Sequence, residues 1–462
     1  MEQLNTFIKA YDVRGLVGSE LTPSFTHDLG KAFATFLIEN FEPTTIVVGE
    51  DMRPSSPELA DAFSQGVISM GLNVIRIGLA STDMLYFASG IKNLPGAMFT
   101  ASHNPAKYNG IKMCKSGAKP IGEKTGLSRM KELLVANSWN EVAHKGSILV
   151  ENLLPQYSQF LLSLLPEFST PQAIAQSKPL KIVIDAGNGM GGYTAPEIFS
   201  SLPFEIIPLY FELDGNFPNH EANPIDPENL RDLQKAVIEH KADIGLAFDG
   251  DADRCFIVDE KGGLVSPSLL TALIAKRELL RHPGASIIYN LISSSVVPEV
   301  VLENGGKPIR SRVGHSFIKA MMAETGAVFG GEHSGHFYFA DFWKADSGAL
   351  AALYAVAELS RSDVALSEVM QPFNRYVASG EINRTVASPQ QSIASVKALY
   401  EKAISRGENF TLDELDGLTV TGQGYWFNLR PSNTEPLLRL NVEASDKAKM
   451  EQITSEVLSL LG

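Results

Sequence analysis

ADIGLAFDGDADR, residues 242–254, runs an apolar stretch directly into a loop of alternating carboxylates. The stretch 242–248 suits a strand covered on both faces, which is how the strands of parallel sheets read. Where it ends, Asp249, Asp251 and Asp253 alternate. In an extended chain side chains two apart share a face, so the three carboxylates converge. Like charges this close raise one another's pKa unless a cation compensates. Mg²⁺ suits the set, because it takes hard oxygen ligands and keeps positions for water and a phosphate oxygen.

Other readings of the loop stay open on these residues alone. One is a solvated acidic turn. Another is an EF-hand, with Glu260 at the bidentate position; against it, Arg254 stands where the turn needs glycine, and a strand precedes the loop. The third is a haloacid-dehalogenase-type phosphatase with Asp249 as nucleophile, against which Asp253 stands in place of the usual Thr or Val.

Outward from this loop the same grammar recurs. TTIVVG (44–49), NVIRI (73–77), AMFT (97–100), LKIVID (180–185) and ASIIY (285–289) read as strands, and 58–70, 228–240 and 268–280 as helices. Strand–helix alternation favours parallel sheets with helices on both faces. Three restarts point to three α/β units, and no clear internal repeat accompanies them. From about residue 369 the order becomes strand, helix, two late strands (418–429 and 437–444, an expected antiparallel pair) and a terminal helix, which is a smaller α+β domain. The stretch 166–179 reads as a linker or surface loop.

The chain has 462 residues, enough for roughly three domains at about 150 residues each. With 44% hydrophobic and 20% charged residues it has the composition of a folded protein. A net charge of −14 disfavours nucleic acid and anionic membranes as partners. An anionic substrate would then need cations gathered locally. Two cysteines, Cys114 and Cys255, exclude a disulfide scaffold. The opening MEQLNTFIKAYDVRG has no apolar core of signal-peptide length, and no apolar run approaches the ~20 residues of a membrane helix. The expectation is a soluble cytoplasmic protein.

Three more constellations carry polar chemistry. Thr100-Ala-Ser-His-Asn-Pro105 follows a strand, so Ser102 stands where α/β folds place ligands, with His103 able to move protons and Lys112 offering charge; a serine turn or N-cap is the plain alternative. Gly331-Glu-His-Ser-Gly-His336 sets carboxylate, hydroxyl and imidazole between glycines, and Glu332 with Ser334 could bind a polyol; a polar turn is the alternative. Arg430-Pro-Ser-Asn-Thr-Glu-Pro436 gathers a guanidinium, hydroxyls and an amide into a phosphate cradle, or an ordinary hairpin loop. IDAGNGMGG (184–192) matches a dinucleotide fingerprint, with Asp214 about 20 residues on. Asp185 would aim its charge at the pyrophosphate, so we read a tight strand–helix turn.

Taken in order, Tyr11-Asp-Val-Arg-Gly15, the serine loop, the aspartate loop, Gly-Glu-His-Ser-Gly-His and Arg-Pro-Ser-Asn-Thr-Glu-Pro resemble the α-D-phosphohexomutase family, within it the bacterial phosphomannomutase/phosphoglucomutase group, over essentially the full chain. The resemblance implies three related mixed-sheet α/β domains and a C-terminal α+β domain like the TATA-binding-protein fold, around a central cleft. The domains would span 1–148, 149–259, 260–370 and 371–462. It implies a phosphoserine at Ser102, one Mg²⁺ per chain held by Asp249, Asp251, Asp253 and an oxygen at Ser102, sugar hydroxyls on Glu332 and Ser334 beside His336, and the substrate's phosphate on Arg430, Ser432, Asn433 and Thr434. Arg14, Lys112, Arg254 and His315 would supply charge or proton transfer, with Lys112 foremost for the proton and His103 and His315 behind it. The implied activity interconverts hexose 1-phosphate and hexose 6-phosphate through a hexose 1,6-bisphosphate, which is both intermediate and activator and must turn over in the cleft.

His333 between Glu332 and Ser334 looks more like the mannose-preferring relatives. The run 289–295 departs from relatives that carry a lysine there, leaving its contact to Ser293 or Ser294. Mannose phosphate is the favoured substrate, ahead of dual mannose/glucose use and glucosamine phosphate. A sugar phosphatase and a non-catalytic sugar-phosphate binder are the alternatives from other classes. A monomer or weak homodimer is expected, as is a hinge of the C-terminal domain near residues 366–373.

Overall fold

The computed structural model describes residues 2–41, 43–140, 142–431 and 437–461. The chain forms two compact units, Met1–Pro267 with Ser334–Val369, and Ser268–His333 with Met370–Gly462.

The first unit holds two mixed sheets. One runs in the order Val13–Leu16, Tyr108–Lys115, Gly96–Phe99, Thr45–Glu50, Asn73–Leu79 and Ile148–Val150, with Lys119–Pro120 beside Tyr108–Lys115. Its last four strands are parallel, and Tyr108–Lys115 pairs antiparallel with both its neighbours in that order. Helices Pro23–Phe41 and Ser56–Ser69 pack on each other through glycines: a Cβ at Gly30 would meet the Phe63 carbonyl oxygen at 2.2 Å, and one at Gly66 that of His27 at 2.0 Å. Only glycine allows backbones that close.

The second sheet runs Leu264–Val265, Cys255–Asp259, Ile244–Phe248, Lys181–Asp185, Glu205–Leu209. Ile244–Phe248 is buried at every residue, as its apolar run anticipates, and parallel to Lys181–Asp185. The helix Arg231–His240 turns Leu233, Ala236 and Val237 inward and ends on Lys241 in the left-handed region. After Lys181–Asp185 the chain enters the helix Gly191–Phe199 by a tight turn in which the Gly187 N–H donates to Asp185 Oδ1 (2.9 Å). His220 Nε2 lies 3.0 Å from Asp185 Oδ2. The glycine-rich turn is thus closed on the protein's own groups, in line with the reading of a strand–helix turn. The unit also contains the antiparallel pair Phe337–Phe339 and Ala345–Asp346 and the helix Gly348–Ser360.

In the second unit Ser286–Asn290 lies parallel to both Lys307–Ser311 and Phe329–Gly331. The C-terminal domain is a five-stranded antiparallel sheet, ordered Val377–Thr385, Leu437–Ala444, Tyr425–Pro431, Leu418–Gly422, Thr411–Asp413, with helices Pro389–Ser405 and Lys447–Leu461. Val396, Tyr400, Phe427, Leu440, Ile453 and Val457 form its core.

Two expectations are corrected. The stretch 418–429 is not one strand: Gly424, with φ of 75°, turns the chain so that Leu418–Gly422 and Tyr425–Pro431 form a hairpin, and only the second strand pairs with Leu437–Ala444. The stretch 166–179 contains a short helix, Pro171–Ile174, started by Thr170, whose hydroxyl accepts from the Ala173 N–H.

Candidate active site

Two loops of the first unit leave the C-terminal ends of one strand from each of its sheets, Gly96–Phe99 and Ile244–Phe248, where open α/β sheets bind ligands. Each carries a non-glycine residue in the left-handed region, Ser102 (φ 52°) and Ala252 (φ 58°). Such backbone is uncommon outside glycine and is held by its surroundings. The loops touch: a Cβ on Gly250 would stand 2.3 Å from the Ser102 carbonyl oxygen.

Ser102, almost fully buried, donates from Oγ to Asp249 Oδ2 at 2.8 Å. Asp249, Asp251 and Asp253 are all buried, and each offers a carboxylate oxygen within 4.8 Å of the others. Burial, then the charges of Asp253 and Asp251, push the Asp249 carboxyl well above its ordinary range. Asp251 and Asp253 are drawn the other way by Lys112, whose Nζ donates to Asp251 Oδ2 (2.7 Å) and Asp253 Oδ2 (2.6 Å). Burial opposes the lowering at Asp253, but Lys112 and then His336 and Arg254 outweigh it and bring the carboxyl to about 2. Among the described residues Asp251 Oδ1 and Asp253 Oδ1 have no hydrogen-bond partner although buried. Buried carboxylate oxygens left this way are costly unless a cation takes them. The donor set and the orphaned oxygens fit a hard divalent metal ion.

Burial lowers the Lys112 ammonium's pKa, but the two aspartates outweigh it and the group is held protonated, well above its ordinary value. In this state it has no lone pair to accept a proton.

Around these groups lie two neutral imidazoles. Burial, then Arg254 and Arg14, drive His103 down to about 2. Its Nδ1 is 3.3 Å from both Ser102 Oγ and Arg254 Nη2, and because a guanidinium only donates, Nδ1 accepts. Burial and Arg254 likewise bring His336 to about 4. Arg254 Nε donates to His336 Nε2 (3.2 Å), so the His336 proton sits on Nδ1, 3.0 Å from Ser334 Oγ. Arg254 N–H also donates to Asp249 Oδ1 (3.2 Å). Arg14, on the strand Val13–Leu16, donates to Asn104 Oδ1 (2.8 Å) and Asp12 Oδ2 (2.7 Å), beside the serine loop.

The structure thus gathers Ser102, His103, Lys112, Asp249, Asp251, Asp253, Arg254, His336, Ser334 and Arg14 in the first unit. Glu332, His315 and Arg430 belong to the second. There Glu332 is buried and its Oε1 accepts from the Gly314 N–H (3.0 Å) and from Asn290 Nδ2 (3.4 Å). Ser293 Oγ donates to Asn290 Oδ1 (2.8 Å), and Ser268 Oγ is 3.1 Å from His333 Nδ1. His315 opens the helix His315–Thr325. Arg430 Nη2 donates to Glu381 Oε2 at 2.7 Å. Ser432, Asn433 and Thr434 lie outside the described residues.

Sequence reasoning passed over Thr82, Arg53 and Asp346. The Thr82 hydroxyl donates to Asp251 Oδ2 and its N–H to the Asp251 carbonyl (3.0 Å), but in the sequence Ser81-Thr-Asp83 reads only as a helix start. Asp346 forms a second ligand-like cluster with Asp253 and His336. No local motif marks it.

Fold and site together point to a phosphoryl-transfer enzyme of the α/β class, with a buried hydroxyl beside an acidic cluster that fits a metal ion. Comparison with known proteins gives the family. Models described as phosphoglucomutase/phosphomannomutase α/β/α domains I, II and III match residues 6–134, 156–263 and 267–376, and the C-terminal domain of the same family matches 381–460. A phosphomannomutase of Vibrio cholerae is 40% identical with full coverage of both chains, and one of Escherichia coli 37% identical with full coverage of both. The crystal structure of a phosphoglucomutase/phosphomannomutase family protein from Burkholderia thailandensis superposes with a TM-score of 0.86 at 31% identity, covering 99% of this chain and 97% of that one. The chain belongs to the phosphoglucomutase/phosphomannomutase family. It is an isomerase, a hexose phosphate mutase of four domains, three of them α/β/α. No helix among the described residues is long and apolar enough to cross a membrane.

Proposed function

We propose that the protein interconverts mannose 1-phosphate and mannose 6-phosphate with Ser102 as the group that carries the phosphoryl. The observation that carries this reading is the Ser102 hydroxyl, 2.8 Å from Asp249 at the edge of a buried aspartate triplet. Mg²⁺, one per chain, is the ion whose ligand preferences suit Asp249, Asp251 and Asp253. When bound, it would neutralise charge on the transferring phosphoryl group.

The chain's own residues do the rest. In the phosphorylated enzyme a substrate hydroxyl attacks phosphorus, the P–Oγ bond of Ser102 breaks, and a new P–O bond gives hexose 1,6-bisphosphate. The hydroxyl proton leaves to a base and the bisphosphate turns; Ser102 Oγ, giving up its proton, then takes the other phosphoryl group as that group's bond to the sugar oxygen breaks, and the sugar oxygen takes a proton back. A loose phosphoryl transition state asks mainly for positioning and positive charge. Lys112 and Arg254 supply the charge beside Ser102, and Arg14 flanks the loop. Acceptance of the hydroxyl proton falls to Lys112 foremost, since a divalent ion on Asp251 and Asp253 would weaken their hold on its ammonium, with His103 and His315 behind it.

Sugar hydroxyls fall to Glu332 and Ser334. The substrate's resting phosphate falls to Arg430, with Ser432, Asn433 and Thr434 assigned from the motif. Mannose preference is supported by the names of the V. cholerae and E. coli relatives and by His333 in the sugar loop. On the segment where relatives carry a lysine, Ser293 donates to Asn290 and Asn290 to Glu332, which braces Glu332 rather than adding charge. The free, buried Cys114 and Cys255 suit a reducing cytoplasm, and the partner is a small sugar phosphate met by a monomer or weak homodimer.

The test is incubation with mannose 1-phosphate, Mg²⁺ and a trace of hexose 1,6-bisphosphate. Mannose 6-phosphate is the expected product, and free phosphate in its place would make the protein a phosphatase. Glucose 1-phosphate run in parallel sets the preference. Ser102→Ala should keep the fold and lose turnover by roughly 1,000-fold or more; near-native rates would strip Ser102 of this role.

A further inference from the structure

Behind the serine loop lies a guanidinium that reaches Ser102 only through its backbone carbonyl and touches no side chain assigned above to metal or substrate. Arg53 is 1% exposed and sits between the strand Thr45–Glu50 and the helix Ser56–Ser69. All five of its N–H bonds have partners. Nε donates to Asp51 Oδ2 (3.2 Å). Nη1 donates to the carbonyls of Pro105 (3.1 Å) and Tyr108 (3.0 Å), and Nη2 to those of Ser102 (2.8 Å) and Asn104 (2.6 Å). One planar fork therefore ties four carbonyls of the loop that carries the nucleophile. Asp51 is itself fixed, accepting from the Arg53 N–H (3.0 Å) and from Ser56 Oγ (2.6 Å).

The loop it ties is strained where the chemistry happens. Ser102 has φ of 52°, a region in which a side chain is disfavoured and which must be imposed by surroundings. Its two peptide neighbours are pinned from opposite sides, the Ser102 N–H on Thr100 Oγ1 (2.9 Å) and the Ser102 carbonyl on Arg53. The same carbonyl abuts Gly250 of the aspartate loop. Arg53 is in turn covered by the 214–217 turn: the Phe217 ring lies 5.3 Å from its Cζ, and a Cβ on Gly215 would meet the Arg53 Cα at 2.6 Å.

We infer that Arg53, with Thr100, is a positioning residue that holds Ser102 in its left-handed backbone so that Oγ faces the aspartate triplet. The inference rests on the reading of Ser102 as phosphoryl carrier. It makes a distinct demand, because lysine keeps the charge beside Asp51 but has one nitrogen and three donors, and cannot span four carbonyls.

The experiment compares Arg53→Lys, Thr100→Val and Ser102→Ala in the full chain, each checked for fold by near-UV circular dichroism. Turnover of mannose 1-phosphate is measured together with the single-turnover rate at which hexose 1,6-bisphosphate phosphorylates the protein, read by intact mass. Arg53→Lys is expected to lower kcat and the phosphorylation rate by about 100-fold, with KM within about twofold of the parent, since the sugar-binding groups are untouched. Thr100→Val should lower the same two rates by about tenfold, again without moving KM. A folded Arg53→Lys protein with the parent's kcat overturns the inference. If that variant does not fold, Thr100→Val decides, and an unchanged phosphorylation rate overturns it. Ser102→Ala separates the two levels. If it retains turnover, the carrier reading fails and takes the inference with it; if it is inactive while Arg53→Lys is unimpaired, only the inference fails.

Discussion

A methyl group at position 250 is a small change with one place to act. It would press on the Ser102 carbonyl oxygen, the atom that Arg53 Nη2 holds, and the Gly250 carbonyl is itself fixed by the Met190 N–H at 2.9 Å. Neither side is the free end of a flexible side chain, so one loop must back away. Phosphoryl transfer is sensitive to placement, and displacements near 1 Å cost on the order of 100-fold. Gly250→Ala is therefore expected to fold with ordinary circular dichroism and to lose about 100-fold in kcat. A variant with the parent's kcat would mean that the contact between the loops does not position Ser102. Ser102 and the three aspartates stand out in the sequence because each set follows a strand as a compact polar motif, whereas Lys112, inside the strand Tyr108–Lys115, is marked only by its nearness to the serine loop. Arg53 was not legible. In a sequence an arginine before a helix reads as surface charge, and only the folded loop brings four carbonyls to it.

Among elements, the glycine-rich turn shows how a local motif is decided by a distant partner. Gly187, Gly189 and Gly192 fit a nucleotide fingerprint, but Asp185 is spent on the Gly187 N–H and on His220, which lies on the loop that also carries Phe217 and Gly215. Burial draws the His220 imidazole down, and the hydrogen bond and charge of Asp185 more than offset it, leaving its pKa above the ordinary value. A histidine raised on folding contributes stability that is complete below its unfolded pKa, about 6.5, and is lost as the pH rises through the higher folded value. The difference in melting temperature between the parent and His220→Gln should therefore be largest below about pH 6.5, worth about 1 kcal/mol or roughly 2–4 °C, and should shrink toward alkaline pH. A pH-independent difference would show that His220 acts only by packing. Thr45–Glu50, Gly96–Phe99, Lys181–Asp185 and Ile244–Phe248 were readable because burial on both faces makes them continuous apolar runs. The hairpin inside 418–429 was hidden for the same reason: Gly422 and Gly424 interrupt a run whose flanks are apolar on both sides, and composition alone does not separate a bend from a bulge.

For the molecule as a whole, motifs in sequence order announced the fold class and the domain types, but not how the chain is shared between compact units. The chain leaves the first unit after Pro267, re-enters it at Ser334 and leaves again after Val369. The expected hinge segment is mostly helical, Leu366–Met370 followed by the 3₁₀ turn Gln371–Phe373. Within the second unit residues 268–333 are bound to the C-terminal domain by contacts that no motif announces. Arg310 pairs with Asp413 and donates to Thr419 Oγ1 (3.1 Å), Arg375 bridges Glu299 (3.0 Å) and Glu303, and Glu443 Oε1 accepts from the Ser295 N–H (2.9 Å) and from Trp426 Nε1 (2.8 Å). A C-terminal domain moving alone would break all of these, so residues 268–333 belong to whatever moves. Glu443, 2% exposed, is the buried member of the set. Replacing it with leucine removes the acceptor shared by two donors, and a buried donor left without a partner costs about 1–3 kcal/mol. In calorimetry of the full chain, Glu443→Leu is expected to move the unfolding of the C-terminal domain to a lower temperature than that of residues 268–333, and to hasten tryptic cleavage at Arg375, which lies in the connection. A single transition at the parent's temperature, with cleavage unchanged, would show that the ion pairs of Arg310 and Arg375 hold the unit without Glu443.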